Sequence, residues 1–191
     1  MLSLSKRLDF IESKILDKNF RTGRGTVGEL NFWIFDYPPE DEMAVRDYIG
    51  FIVSRINGRY DDISIKCFDL YDLMIQVLRE KGYLDKVMER EASKGSTAIF
   101  EPIKKTLRLT QDRDLIIAKI TENIVPEKDV IFITGVGKAW PIIRSHTILN
   151  NLHSKVEKNP LVMFFPGEYT NELKLFGEIT DDNYYRAFKL V

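Results

Sequence analysis

Asp129-Val130-Ile131-Phe132-Ile133-Thr134 is a near-continuous apolar run that stops at Gly135-Val136-Gly137-Lys138. A strand covered on both faces reads this way, because neither side of it meets water; such strands belong to parallel sheets with helices above and below. Leu161-Val162-Met163-Phe164-Phe165 repeats the pattern and stops at Pro166-Gly167. Between them, a helical stretch is expected from about Trp140 to Val156.

The same rhythm starts earlier in the chain. Leu30-Asn31-Phe32-Trp33-Ile34-Phe35-Asp36-Tyr37 is rich in aromatic and branched residues and ends at Pro38-Pro39, as a strand entering a turn does. Proline and acids at Pro39-Glu40-Asp41-Glu42 open a helix with the apolar face Val45, Tyr48, Ile49, Ile52 and Val53, ending at Asn57-Gly58. Residues 62–68 alternate as a second strand, and Leu70, Leu73, Met74, Val77 and Leu78 follow at helical spacing. Strand-helix-strand-helix order predicts a three-layer α/β fold, a mostly parallel sheet flanked by helices, Rossmann-like or P-loop-like without a functional Walker A.

The flanks are different. Leu4, Leu8, Ile11, Ile15 and Leu16 lie on one face of an opening helix over Ser3–Phe20. Residues 83–125 read as a helical insertion or cap, broken at Lys94-Gly95-Ser96 and Thr110-Gln111-Asp112. Residues 173–179 and 184–191 alternate across the polar turn Thr180-Asp181-Asp182-Asn183, which predicts an antiparallel C-terminal edge hairpin. One domain over residues 1–191 is expected, since 191 residues with 44% hydrophobic side chains suffice for one core.

Composition narrows the function. Lys and Arg number 28 against 29 Asp and Glu, so there is no global field toward nucleic acid or an anionic membrane, and direct nucleic-acid contact is not expected. Local basic residues at Arg21 and Arg24, and at Lys104, Lys105 and Arg108, motivate a DNA-contacting subunit as one alternative. No apolar window is long enough for a membrane span, and the start lacks the apolar core of a secretion signal, so a cytoplasmic protein is expected. The single cysteine, Cys67, has no thiol partner within the chain and reads as a buried structural residue.

Motifs for chemistry are incomplete. Gly23, Gly25 and Gly28 match G-x-G-x-x-G, but a helix precedes and a strand follows, the reverse of the dinucleotide arrangement. Thr134-Gly135-Val136-Gly137-Lys138 imitates a phosphate-binding loop, yet its glycines are two apart and Ala139-Trp140 follow where a hydroxyl would reach magnesium. Gly135, Gly137 and Lys138 remain a candidate anion site, with the tight strand-to-helix turn as the simpler reading. His146 and His153 share a helix face at seven-residue spacing, without the third ligand a catalytic zinc needs. Ser145 and His146 point apart and no G-x-S-x-G elbow exists. Asp36 and Asp69 fall at carboxyl ends of strands, where parallel sheets bind ligands and where helix caps also sit. No catalytic residue, metal or cofactor is assigned.

Several stretches carry a resemblance: Phe132-Ile133-Thr134-Gly135-Val136-Gly137; Arg144-Ser145-His146-Thr147-Ile148-Leu149-Asn150-Asn151-Leu152; Pro160 to Tyr169 with its P-G-E-Y turn; and Asp182-Asn183-Tyr184-Tyr185-Arg186-Ala187-Phe188. On these the chain resembles the BrxB family of BREX phage-defence systems, over essentially its whole length. The resemblance implies a small non-catalytic core component, encoded beside an alkaline-phosphatase-like PglZ protein, an adenine methyltransferase and large ATPases, with PglZ as the expected partner. Arg144, His146, Asn150, Asn151, Glu168, Tyr169, Tyr184 and Tyr185 are the candidate partner-binding or polar motif residues, suited to hydrogen-bonded recognition or to a polar scaffold inside the fold.

Overall fold

The structure, a computed structural model, describes residues 3–22, 31–109, 113–170, 172–180 and 187–191. The glycine triplet at 23–28, Arg24 and the Tyr184-Tyr185 pair lie outside these residues.

Four strands form the centre: β1 (Phe32–Tyr37), β2 (Ser64–Asp69), β3 (Asp129–Thr134) and β4 (Leu161–Tyr169). They lie in the order β2-β3-β4-β1 and pair in parallel, with Phe132 opposite Val162 and Phe35 opposite Phe164. The first connection jumps from β1 over two positions to the edge strand β2, and each later one steps to the adjacent strand in the opposite direction. Parallel crossovers keep one hand, so connections running in opposite directions must cover opposite faces. Helix α1 (Leu4–Leu16), the short α2 (Lys18–Thr22) and α3 (Glu42–Arg59) lie on one face; α4 (Leu70–Glu80), α5 (Leu84–Lys94), α6 (Thr97–Leu107), α7 (Leu115–Thr121), α8 (Val136–Ala139) and α9 (Ser145–Leu152) lie on the other.

Alternation divides each strand between the two layers. Ile131, Ile133, Leu161, Met163 and Phe165 enter the larger core with α4, α6, α7 and α9. Val130, Phe132, Val162 and Phe164 enter the smaller one with α1 and α3. There Phe132 meets Phe164 edge-on at 4.9 Å between ring centroids, and Phe35 lies 5.6 Å from Phe164 on the next strand. Such contacts contribute beyond the area they bury. The three-layer α/β reading therefore holds, and its physical origin is a period-two side-chain pattern in which both phases are apolar.

Local departures have identifiable causes. The helix after β1 continues through Asn57-Gly58 to Arg59, and Asn57 turns its side chain to the adjacent edge strand, accepting from Ile65 N at 2.7 Å and donating to Ile65 O at 3.0 Å. The opening helix stops at Leu16, and Lys18–Thr22 forms a separate helix. The glycine turn after β3 is itself helical, as α8; Trp140 through Arg144 is not, and Trp140-Pro141 is a cis peptide bond. His153 follows the last residue of α9, so the two histidines do not share one helix.

β4 does not stop at Pro166-Gly167. It leaves the parallel sheet there and continues antiparallel to β5 (Leu173–Leu175), which pairs with β6 (Ile179–Thr180). Gly167 allows this, because a Cβ would collide with the Lys174 carbonyl. The antiparallel C-terminal hairpin is thus present, but it turns at Phe176-Gly177-Glu178. β7 (Phe188–Lys189) instead adds to β1 in parallel. Cys67 is exposed on β2, which stands at the end of the described strand order, and is not the buried residue expected.

Candidate functional site

The carboxyl ends of β1, β2 and β3 meet at one edge, where open parallel sheets place their ligands. A cleft of about 180 Å³ lies there between Tyr37, Glu42, Arg46, Asp69, Thr134 and Gly135. Its polar groups are bound to each other: Tyr37 Oη donates to Glu42 Oε2 at 2.6 Å, and Arg46 Nε donates to Glu42 Oε1 at 2.8 Å. Burial, reinforced by the Glu42 carboxylate, raises the Tyr37 pKa far above the ordinary phenol range.

Asp69 N-caps α4, accepting from Tyr71 N at 3.0 Å and Asp72 N at 3.1 Å through Oδ1. Its Oδ2 holds Lys138 Nζ at 2.6 Å, with Asp72 Oδ1 3.8 Å away. The Lys138 charge is therefore already countered. Gly135 has φ 69° at the start of α8, and a Cβ there would collide with the Asp69 carboxylate; at Gly137 it would come within 2.9 Å of the Phe176 ring. Both glycines thus have a packing reason that needs no phosphate. α8 is four residues long, too short to focus a helix dipole.

Asp36 is not a helix cap. It is 5% exposed within β1, and three parts of the chain converge on it. Arg7 Nη2 of α1 donates to Oδ1 at 2.8 Å and to the Asp36 carbonyl at 2.7 Å. Lys189 Nζ of β7 donates to Oδ2 at 2.7 Å, and Tyr169 N of β4 donates to the same oxygen at 3.0 Å. A charged residue inside the apolar run Phe32–Tyr37 was the available signal, since a carboxylate in such a strand requires partners.

The residues of the quoted motifs separate into two groups. Tyr169 is 3% exposed, and its Oη donates to Ala187 O at 2.7 Å; burial raises its pKa. Asn151 Nδ2 donates to Asp114 Oδ2 at 3.3 Å, while Asp114 caps α7 through Ile116 N and Ile117 N. His146 is half-buried, with Nε2 3.1 Å from Thr147 Oγ1. Arg144, Asn150 and Glu168 are exposed. Among the described residues, no group of three or more His, Cys, Asp or Glu side chains is arranged to hold a metal ion. No helix in them is long and apolar enough to cross a membrane.

One surface feature was not legible in advance. Three partly exposed aromatic rings surround α8: Tyr71, whose ring lies 5.6 Å from Lys138 Nζ; Phe176, against Gly137; and Trp140, which follows Ala139. They come from α4, the β5-β6 turn and the α8-α9 connection, so only the fold assembles them.

Fold and site together define a three-layer α/β protein on a parallel sheet, whose carboxyl edge carries self-paired charges ringed by aromatic side chains. The family described as BREX protein BrxB matches residues 66–190. A BREX protein BrxB of Bacillus cereus (strain H3081.97) is 51% identical, covering 100% of this chain and 99% of its own length. Another, from Escherichia coli O9:H4 (strain HS), is 31% identical over 98% of this chain and 92% of its own. No solved structure matches. The chain belongs to the BrxB family, which makes it a BREX component and sets phage defence as its context.

Proposed function

We propose that the chain is a non-catalytic adaptor of a BREX phage-defence system that works in the cytoplasm and docks on the PglZ alkaline-phosphatase-like protein. The observation that carries the reading is the aromatic ring around α8: Tyr71, Trp140 and Phe176 are 38%, 38% and 40% exposed, beside an ion-paired lysine. Aromatic side chains of this kind supply much of the energy of protein interfaces, because they bury large area at small entropic cost. Arg144, Asn150 and Glu168, the exposed members of the quoted motifs, provide further polar contacts for the assembly, with the methyltransferase and ATPase subunits as additional partners. The self-paired carboxylates and lysines of the carboxyl edge support a binding role over a chemical one.

The test is co-purification of the full chain with each product of its neighbouring genes, with complexes sized by light scattering. A stoichiometric complex with PglZ, weakened about tenfold or more by Trp140→Ala or Phe176→Ala, is expected. No association at micromolar concentration in low salt rules the adaptor out.

A further inference from the structure

The net charge of −1 conceals a segregation of charge. At the carboxyl edge Glu42 is paired with Arg46 and Asp69 with Lys138, whereas the grooves beside α6 gather cations. One groove of about 310 Å³ runs between α6 and the segment leading into α9, lined by Lys104, Lys105 and Arg144. A second, of about 740 Å³, lies between α6 and the α4-α5 corner, lined by Lys81, Arg90, Lys105 and Arg108. Both include Lys105 and Glu101, so they are two halves of one surface.

Among the described residues, the only carboxylate lining either groove is Glu101, and its ion pair with Lys104 at 3.0 Å is 71% exposed on the acid side. A pair so open to water offsets little charge. Arg90 Nε donates to Ala98 O and keeps its charge. Among the described residues, Lys81, Lys105, Arg108 and Arg144 have no ion-pair partner. The charges of Lys104, Lys105 and Arg108 also complement the end of the α6 dipole, as Lys81 does that of α4, but Arg90 and Arg144 come from other elements and have no such reason to gather there.

We propose that this surface of α6, the α4-α5 corner and Arg144 binds the phosphate backbone of a nucleic acid. The cations are spread along an open surface, so they suit evenly spaced charges on a polymer rather than one converging phosphate. Backbone phosphates accept from such donors whatever the sequence, so the proposal is of backbone contact. Tyr83, 46% exposed at the same groove with Lys86 Nζ 5.5 Å from its ring centroid, adds an aromatic ring and a further cation to it. The two readings share Arg144 and otherwise use different surfaces, so a partner-binding defect in Phe176→Ala leaves this proposal untouched.

The test is fluorescence anisotropy of the full chain with a labelled DNA duplex and a labelled single strand, across a salt series. Expected is binding whose log affinity falls with log salt at a slope of about −3, equivalent to roughly three phosphate contacts. Reversing Lys105→Glu together with Arg144→Glu lowers affinity at least about tenfold, while Lys155→Glu with Lys158→Glu does not. Circular dichroism of each variant establishes that it is folded. Absence of binding at low salt, an unaffected double reversal, equal affinity for polyglutamate, or displacement by low-millimolar inorganic phosphate each overturns the proposal.

Discussion

Lys189 Nζ donates to Asp36 Oδ2 at 2.7 Å, joining residues 153 positions apart. The acceptor side chain is 7% exposed and the lysine 47%, so the contact is a buried carboxylate reached by a cation from the surface. Arg7 approaches the other oxygen of the same group, and both ends of the chain are thereby fastened to the first central strand.

Asp36→Ala removes the acceptor of both ion pairs and of the Tyr169 amide. Breaking a buried pair strands its partners, but Lys189 retains water, so a loss of about 3 kcal/mol is expected, against roughly 0.5–1 kcal/mol for Lys189→Met. Urea denaturation monitored by tryptophan fluorescence measures both; equal losses would mean that Asp36 does not join three segments.

Gly135→Ala places a Cβ against the Asp69 carboxylate at a backbone φ of 69°. A destabilisation of roughly 2 kcal/mol or more is expected from strain and collision together, with or without added nucleotide. Were the glycine present to admit a phosphate, the variant would lose nucleotide binding and keep its melting temperature.

Tyr37 has a folded-state pKa raised by burial and by Glu42 from the ordinary 10.0. The raised value means that the unfolded chain ionises first. The stabilisation is complete below about pH 10 and is lost as pH rises beyond it toward the folded value. The denaturation midpoint should fall above about pH 10, and Tyr37→Phe should flatten that fall; parallel curves for the two proteins would refute the assignment.

Cys67 has an open side on β2, yet partial withdrawal from water, with Asp69 adding to it, pushes its thiol up to about 11. Native alkylation by iodoacetamide should therefore proceed, with a rate climbing about tenfold per pH unit from pH 7 to 10, because only the thiolate attacks. A plateau near pH 9 would indicate a thiol with the environment of a free one.

The central strands were legible because both phases of their alternation are apolar; nothing but a sheet covered on both faces accommodates Ile131 beside Phe132 or Met163 beside Phe164. Helix α3 was equally plain from spacing and from acids in its first turn, and α4 from spacing. The cap was legible only as helical, because its packing onto α4 is a long-range choice. The end of β4 was misread at Pro166-Gly167, a pair that usually marks a turn. It is a sheet change here because Lys174 and Phe176 arrive to complete the backbone bonding, Phe176 N donating to Pro166 O at 2.8 Å.

The candidate residues were legible as types and not as roles. Tyr169 and Asn151 suited either recognition or a polar scaffold and are hydrogen-bonded inside the fold, while Asp36, placed where a ligand or a helix cap could sit, joins three segments. The aromatic ring around α8 draws on separated segments, which no local pattern announces; of the basic surface, Lys104, Lys105 and Arg108 stand together in the sequence, while Lys81, Arg90 and Arg144 join them only in the fold.

The amino-acid sequence by itself determined the layers: period-two and period-3.6 apolar spacing dictate which segments become strands and helices and that the sheet is covered on both sides, because burial of apolar area is a local property of each segment. Only the tertiary structure decided which charges meet. Asp36 with Lys189, Lys138 with Asp69, and Lys105 with Arg144 on one surface depend on strand order and crossover direction, and Coulomb interactions follow distance in space whatever the separation along the chain.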